Sequence, residues 1–65
     1  MDLATTAAAQ ELRHAESELQ RLRHAADRAE DEGQRHAYQQ QASWYAQQVT
    51  KYRSELAAQR RQARG

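Results

Sequence analysis

The stretch ADRAEDEGQRHAY (26–38) decides the fold, because the pattern of apolar residues changes phase inside it. On both sides of this stretch, apolar or small residues recur at alternating steps of three and four, which is the heptad pattern of a helix with one apolar stripe. The residues that follow this rule form two seams. The first seam is Thr5, Ala8, Leu12, Ala15, Leu19, Leu22, Ala26 and Ala29, and the second is Tyr38, Ala42, Tyr45, Val49, Tyr52 and Leu56.

The second seam does not continue the first one. If the first seam ran on past Ala29, it would pass through a glycine and four polar residues. These are Gly33, His36, Gln40, Ser43 and Gln47. The second seam is displaced by two residues, which would turn the apolar stripe by about 200° on an unbroken helix. The two stripes would then face opposite ways, so the sequence predicts a chain that folds back into an antiparallel helical hairpin.

The turn is expected at about 31–35, between helices over about 4–31 and 35–62, in a single domain spanning 1–65. Gly33 is the candidate for the left-handed residue that ends the first helix. The acidic run EDE (30–32) is unfavourable at a helix C-terminus and favourable before a helix N-terminus, which also places the turn here.

Folding back brings two of the three tyrosines opposite an alanine, and large against small is what interdigitating layers require. The expected pairs are Ala29 with Tyr38, Ala26 with Ala42, Leu22 with Tyr45, Leu19 with Val49, Ala15 with Tyr52, and Leu12 with Leu56.

The composition indicates that one hairpin is not the final assembly. Among 65 residues there are 14 alanines but only five leucines, one valine and no cysteine, so neither a large core nor a disulfide is available. Chains of this size seldom stabilise themselves without some such addition. We therefore expect an all-α fold whose hairpins pair as a homodimer, with a four-helix bundle as the simplest closed form. The residues predicted to mediate self-association are Leu12, Leu19, Leu22, Tyr38, Tyr45, Val49, Tyr52 and Leu56.

Trp44 is the strongest candidate for binding a partner. It lies one residue, or about 100°, off the second seam. Its flank is rich in glutamine and includes Gln40, Gln48 and Lys51. Tryptophan at the edge of a polar surface is a frequent anchor in protein interfaces. If the assembled bundle is wide, Trp44 instead joins the edge of its core. The tyrosine stripe lacks Lys or Arg between Tyr38 and Val49, which favours packing over base stacking.

Charge is divided along the chain. Residues 1–32 carry eight acids and four bases, a net charge of −4, and residues 33–65 carry six bases and one acid, a net charge of +5. Opposite charges on antiparallel helices favour their pairing. The C-terminal Arg60, Arg61 and Arg64 offer an alternative function, which is phosphate contact with nucleic acid.

The remaining patterns exclude several functions. No serine has a base and an oxyanion site at suitable spacing, and there is no glycine-rich phosphate loop, so we expect no enzymatic activity and no cofactor. His24, Asp27 and Asp31 share a helix face, but solvated surface explains them better than a metal site. Without an apolar span or a secretory signal, we expect a cytoplasmic protein with no membrane partner. The bias towards arginine and alanine is typical of bacterial or phage proteins.

In length and predicted architecture the chain resembles the repressor-of-primer proteins. Those proteins are small helical hairpins that pair as antiparallel four-helix bundles and bind RNA hairpins. The resemblance concerns the architecture and assigns no site residue. The sequence therefore predicts a self-associating interaction or regulatory module whose favoured partner is a protein. The alternatives are a nucleic-acid-binding accessory protein and a structural subunit of a coiled-coil or phage assembly.

Overall fold

Two helices that pack against each other make up the structure. The computed structural model describes residues 3–64, with side chains over residues 6–62. Helix α1 spans Leu3–Arg28 and helix α2 spans Glu32–Arg64, so the connection is only three residues long, 29–31. The hairpin measures 51 × 15 × 12 Å. The predicted antiparallel hairpin is confirmed. Over the described residues, neither helix is long and apolar enough to cross a membrane.

The burial pattern reproduces both predicted seams. Every seam residue from Ala8 to Leu56 is buried or half-buried, whereas the five positions that would continue the first seam are all exposed. The phase change is therefore the reason that the chain folds back: each helix can bury its stripe only against the other one. Of the predicted pairs, Leu19 and Val49 both line one groove between the helices, and Ala15 and Tyr52 both line another.

The core between the helices is thin. The buried apolar residues are Ala8, Ala15, Leu22, Ala26, Ala42 and Val49. Four of these six are alanine, and Leu22, with 1% of its surface exposed, is the one large side chain that is completely enclosed among those described. The remaining leucines and the tyrosines of the seams stay half-buried, because two helices can cover a seam from only one direction.

The turn lies earlier than the sequence predicts, and a different residue makes it. Asp31 is the N-cap of α2: its carboxylate oxygen Oδ2 accepts a hydrogen bond from the backbone N–H of Gln34 at 3.1 Å. Its own carbonyl accepts the first helical bond, from the N–H of Arg35 at 3.0 Å. The Arg35 guanidinium then reaches back to the Ala29 carbonyl at 2.9 Å. These bonds satisfy backbone N–H and C=O groups at both helix ends that would otherwise lack a hydrogen-bond partner.

The prediction that Gly33 ends the first helix in a left-handed conformation is wrong. Gly33 lies in the first turn of α2, and no glycine in the described part of the chain has a positive φ. The three acidic residues explain the difference. They are unfavourable at the C-terminus of α1, whereas Asp31 is a good N-cap. Helix α1 therefore ends at Arg28, and α2 begins ahead of the glycine.

We expect Asp31→Ala to lower the free energy of unfolding by about 1 kcal/mol, the usual cost of losing an N-cap. Gly33→Ala should leave the hairpin intact and change the stability by less than about 1 kcal/mol, since Gly33 has an ordinary helical conformation. The added Cβ would lie 3.1 Å from Asp31 Oδ2, the oxygen that caps α2, so this carboxylate would have to move by a few tenths of an ångström. Urea titrations at one chain concentration, followed by circular dichroism, measure both effects.

Glu30→Ala is the matched control, because Glu30 is exposed in the same connection but does not cap α2. If Gly33→Ala abolished helicity while Asp31→Ala had no effect, the glycine and not the aspartate would control the turn.

Candidate interaction surface

An open groove runs along one side of the hairpin, between the two helices. We call it the aromatic groove, because three of its lining residues carry large aromatic rings. Its volume is about 220 Å³. It is lined by Glu11, His14, Ala15, Trp44, Tyr45, Gln48 and Tyr52. The side of the hairpin that carries this groove is the aromatic face.

Trp44 dominates the aromatic face. Among the large apolar side chains that the structure describes it alone is exposed, with 55% of its surface accessible. Its ring meets Tyr45 edge-on, with centroids 4.8 Å apart and planes at 87°. Tyr45 in turn meets His14 of α1 edge-on, with centroids 6.3 Å apart. Edge-to-face rings attract each other, so Tyr45 holds the tryptophan ring in place and leaves part of it available to a partner.

A charged pair lies on the same face of α1. Arg21 donates from Nη2 to Glu18 Oε2 at 2.6 Å and from Nε at 3.1 Å. The hydrogen bond from Arg21 lowers the pKa of Glu18, and the positive charges of Arg21 and His14 act in the same direction. The pKa of Arg21 is raised, chiefly by the same hydrogen bond and by the charge of Glu18, with smaller contributions from Tyr45 and Tyr38. Glu18 and Arg21 follow Glu11 and His14 at steps of four and three, so they lie on the same flank of α1 as these two groove residues.

A second groove, with a volume of about 680 Å³, lies on the opposite side of the seam. Its lining is mostly polar: Arg13, Glu16, Ser17, Leu19, Gln20, Arg23, Ala46, Val49, Thr50 and Arg53. Arg53 crosses it to bind Glu16, with Nη2 and Oε2 3.0 Å apart. Both side chains are substantially exposed to solvent, so this salt bridge contributes little to stability. The charged groups make this second groove a less favourable site for apolar contact than the aromatic groove.

The structure brings together half of the predicted partner-binding set. Trp44 and Gln48 line the aromatic groove, but Gln40 and Lys51 do not. Gln40 Nε2 lies 3.1 Å from His36 Nε2, one turn earlier in α2. Lys51 Nζ lies 5.7 Å from the centre of the Tyr52 ring, within the range of a cation–π contact. Lys51 therefore lies next to a residue of the groove lining, whereas the contact of Gln40 is with a residue outside that lining.

The predicted self-association set divides into two groups. Leu22 and Val49 are buried inside the single hairpin, where they hold its helices together. Leu12, Leu19, Tyr38, Tyr45, Tyr52 and Leu56 are half-buried and keep surface for another chain.

The predicted nucleic-acid residues lie on an extension of α2. Helix α2 has 33 residues and α1 has 26, so α2 projects about seven residues, or roughly 10 Å, past the described end of α1. Arg60 and Arg61 are exposed there. Arg64 ends the helix, and its side chain lies outside the described residues.

Sequence reasoning missed the contribution of α1 to the aromatic face. Glu11, His14, Glu18 and Arg21 flank the seam at steps of three and four, and this spacing could have identified them. Which flank carries them became clear only when their contacts with Tyr45 and with one another were known. Among the described residues, no group of three or more His, Cys, Asp or Glu is placed to hold a metal ion.

No protein-family model, curated protein sequence or solved structure matches the chain. Its function is therefore inferred from the chemistry of these surfaces.

The Glu18–Arg21 pair predicts a shifted titration. Arg21→Ala should raise the pKa of Glu18 towards the ordinary range, because the largest cause of the lowering is removed. Since the folded-state pKa is lowered, any stability from this pair is present above the ordinary glutamate pKa and disappears as the pH falls through the lowered pKa. Carboxyl ¹³C NMR titration of wild type and variant measures the shift.

Arg23→Ala serves as the control, since Arg23 is an exposed arginine of the same helix that lines the opposite groove. It should leave the titration of Glu18 unchanged. Identical Glu18 curves in wild type and Arg21→Ala would mean that the pair does not form in solution.

Proposed function

We propose that this chain is a small, non-enzymatic interaction module. In this proposal the helical hairpin self-associates, with a four-helix bundle as the expected assembly. It binds a macromolecular partner, for which protein is favoured over nucleic acid, through the aromatic groove around Trp44. The observation that carries the proposal is the tryptophan ring that is 55% exposed and held edge-on by Tyr45.

The chemistry of the groove supports a protein partner. Trp44, Tyr45 and Tyr52 supply rigid apolar area, and Gln48 and Glu11 supply polar groups at its border. An aromatic anchor surrounded by polar residues is the usual arrangement of an energetically dominant contact in protein interfaces. No arginine or lysine lines this groove, so it is poorly suited to a phosphate backbone.

The thin core supports association as well. Among the residues with described side chains, four of the six that are buried are alanine, and each burial of so small a side chain contributes little hydrophobic stabilisation. A second layer of protein on the half-buried leucines and tyrosines would supply the burial that the hairpin alone does not provide.

Trp44→Ala tests the protein site. We expect it to weaken partner binding by about 2 kcal/mol or more, roughly 30-fold, as for a central interface tryptophan. Affinity capture with quantitative mass spectrometry measures this loss. The emission of the only tryptophan gives a second readout in wild type, since it should shift to shorter wavelength when Trp44 is covered.

Gln39→Ala is the matched control. Gln39 is exposed on the same helix and lies about 140° around it from Trp44, so this change should leave binding as in wild type. If Trp44→Ala changed neither self-association nor the capture of any partner, the proposed binding surface would be wrong.

The extension of α2 favours nucleic-acid binding as a second candidate function. Arg60 and Arg61 are exposed on a helix that projects past α1. If they bind phosphates, Arg60→Ala with Arg61→Ala should remove binding to a labelled RNA or DNA duplex. The wild-type affinity should then fall steeply as salt is raised, because phosphate contacts release counterions. Binding that was independent of salt, or unchanged in the double variant, would exclude this role.

A further inference from the structure

We propose that the protein that occupies the aromatic face is a second copy of this chain, packed antiparallel so that the Trp44 rings of the two copies lie against each other. The inference rests on the proposed function, because it names the occupant of the same surface. It adds a register, a symmetry and a set of charge pairs, and each of these follows from described residues.

The residues along the α1 flank are symmetrically spaced. The α1 positions that flank the aromatic groove are separated by four, three, four, three and four residues. This order of separations is the same when α1 is followed from either end. They are Ala7, Glu11, His14, Glu18, Arg21 and Ala25. The middle four lie on this face: Glu11 and His14 line the groove, and Glu18 and Arg21, which bind each other, continue the same helical spacing. An antiparallel copy of α1 presents the same spacing in reverse, so its flank is in step with this one.

The reversed order is also chemically complementary. It sets Glu11 opposite Arg21 of the second copy, and His14 opposite Glu18 of the second copy. At the ends it sets Ala7 opposite Ala25. Each polar pair then joins an acid with a group that is or can become cationic. In a two-fold pairing with both turns at the same end, α1 would lie against α2 of the second copy, so these charge pairs between the two α1 helices would not form.

Helix α2 places Trp44 near the centre of this pairing. The antiparallel pairing of the two α1 helices is centred on position 16, which lies twelve residues before the end of α1 at Arg28. Trp44 lies twelve residues after Glu32, the start of α2. Because the connection is short, these two positions lie near the same level along the hairpin, and the contacts of His14 with Tyr45 and of Glu16 with Arg53 place them within about one turn of each other.

A two-fold axis at this level therefore passes beside Trp44. It brings the two tryptophan rings together and sets Gln40 of one copy opposite Gln48 of the other. Aromatic rings attract each other in offset or edge-on contact, and amide side chains both donate and accept hydrogen bonds. The exposed tryptophan and its glutamine neighbours are thus the centre of the interface that this symmetry generates.

The ends of the hairpin fit the same arrangement. With the turns at opposite ends, the roughly 10 Å extension of α2 passes beside and beyond the turn of the other copy. The extension carries the exposed Arg60 and Arg61. The turn carries four exposed acids, Asp27, Glu30, Asp31 and Glu32. Opposite charges at both ends add to the preference for the antiparallel orientation.

The accessible surface area of the single hairpin is larger than that of a compact monomer, as expected if a second copy covers part of it. Its accessible surface is 5341 Å² for a mass of 7.5 kDa. A compact folded monomer of that mass would expose about 4,200 Å², so the hairpin exposes roughly 1,100 Å² more. A stable interface of ordinary size buries about 800 Å² on each partner. One additional copy on the aromatic face can account for an excess of this size.

Charge exchange between two variants of the full chain tests the register. Glu11→Arg places like charges opposite each other in its own dimer, and Arg21→Glu does the same with the opposite sign. Each variant alone should dimerise more weakly than wild type, on the order of 10-fold or more, since two contacts change per dimer. When the variants are mixed, both contacts become acid–base again, so the mixed dimer should form in preference to either homodimer. Native mass spectrometry distinguishes the three species, and sedimentation equilibrium gives their affinities.

Arg23→Glu is the control for Arg21→Glu, because it makes the same charge change on the opposite groove. It should form no preferred mixed dimer with Glu11→Arg. If Arg21→Glu alone unfolds through loss of its bond to Glu18, recovery of helicity on mixing would itself support the proposal. Statistical mixing of the two variants, or an equal preference with Arg23→Glu, would overturn it.

The outcome also separates this inference from the function on which it rests. A wild-type chain that remains monomeric to about 1 mM, and whose Trp44 nevertheless captures another protein or an RNA, overturns the dimer and leaves a binding surface at Trp44. A chain that does neither overturns both.

Discussion

The structure depends on one constraint: two helices can enclose the seam between them from one direction only. Leu22 is completely covered because it lies at the centre of the contact, and Ala8, Ala15, Ala26 and Ala42 are covered because they are small. Every larger seam residue with a described side chain, except Leu22 and Val49, remains half-exposed. A protein of this shape gains limited hydrophobic stabilisation by itself, and its open flanks supply surface for association.

The two open flanks differ in chemistry, and this difference directs the functional proposal. The aromatic groove has three rings, one carboxylate and no cationic side chain from lysine or arginine, whereas the opposite groove has three arginines and a bridge across it. An apolar partner gains more from the first flank, since charged groups on the second flank would have to lose water on contact. The same comparison makes Trp44 the natural centre of an interface.

The prediction of the fold succeeded where long-range periodicity carried the information. The phase change between Ala29 and Tyr38 predicted the hairpin, and all seam residues with described side chains are buried or half-buried. The exact position of the turn was harder to predict, because glycine can end a helix and aspartate can begin one, and the stretch contains both Gly33 and Asp31. Backbone hydrogen bonds decide between such signals, and here Asp31 and Arg35 satisfy the open helix ends before the glycine is reached.

For the candidate site, the sequence by itself determined that Trp44 lies off the seam among polar residues, since helical periodicity fixes the direction of each side chain around its own axis. It also determined that the chain carries acids towards its turn and arginines at its end. Only the tertiary structure decided which residues of α1 share a face with Trp44, because that depends on the rotation and level of one helix against the other. The short connection sets this relation, and it places Glu11, His14, Glu18 and Arg21 beside the aromatic rings although they lie more than twenty residues away in the chain.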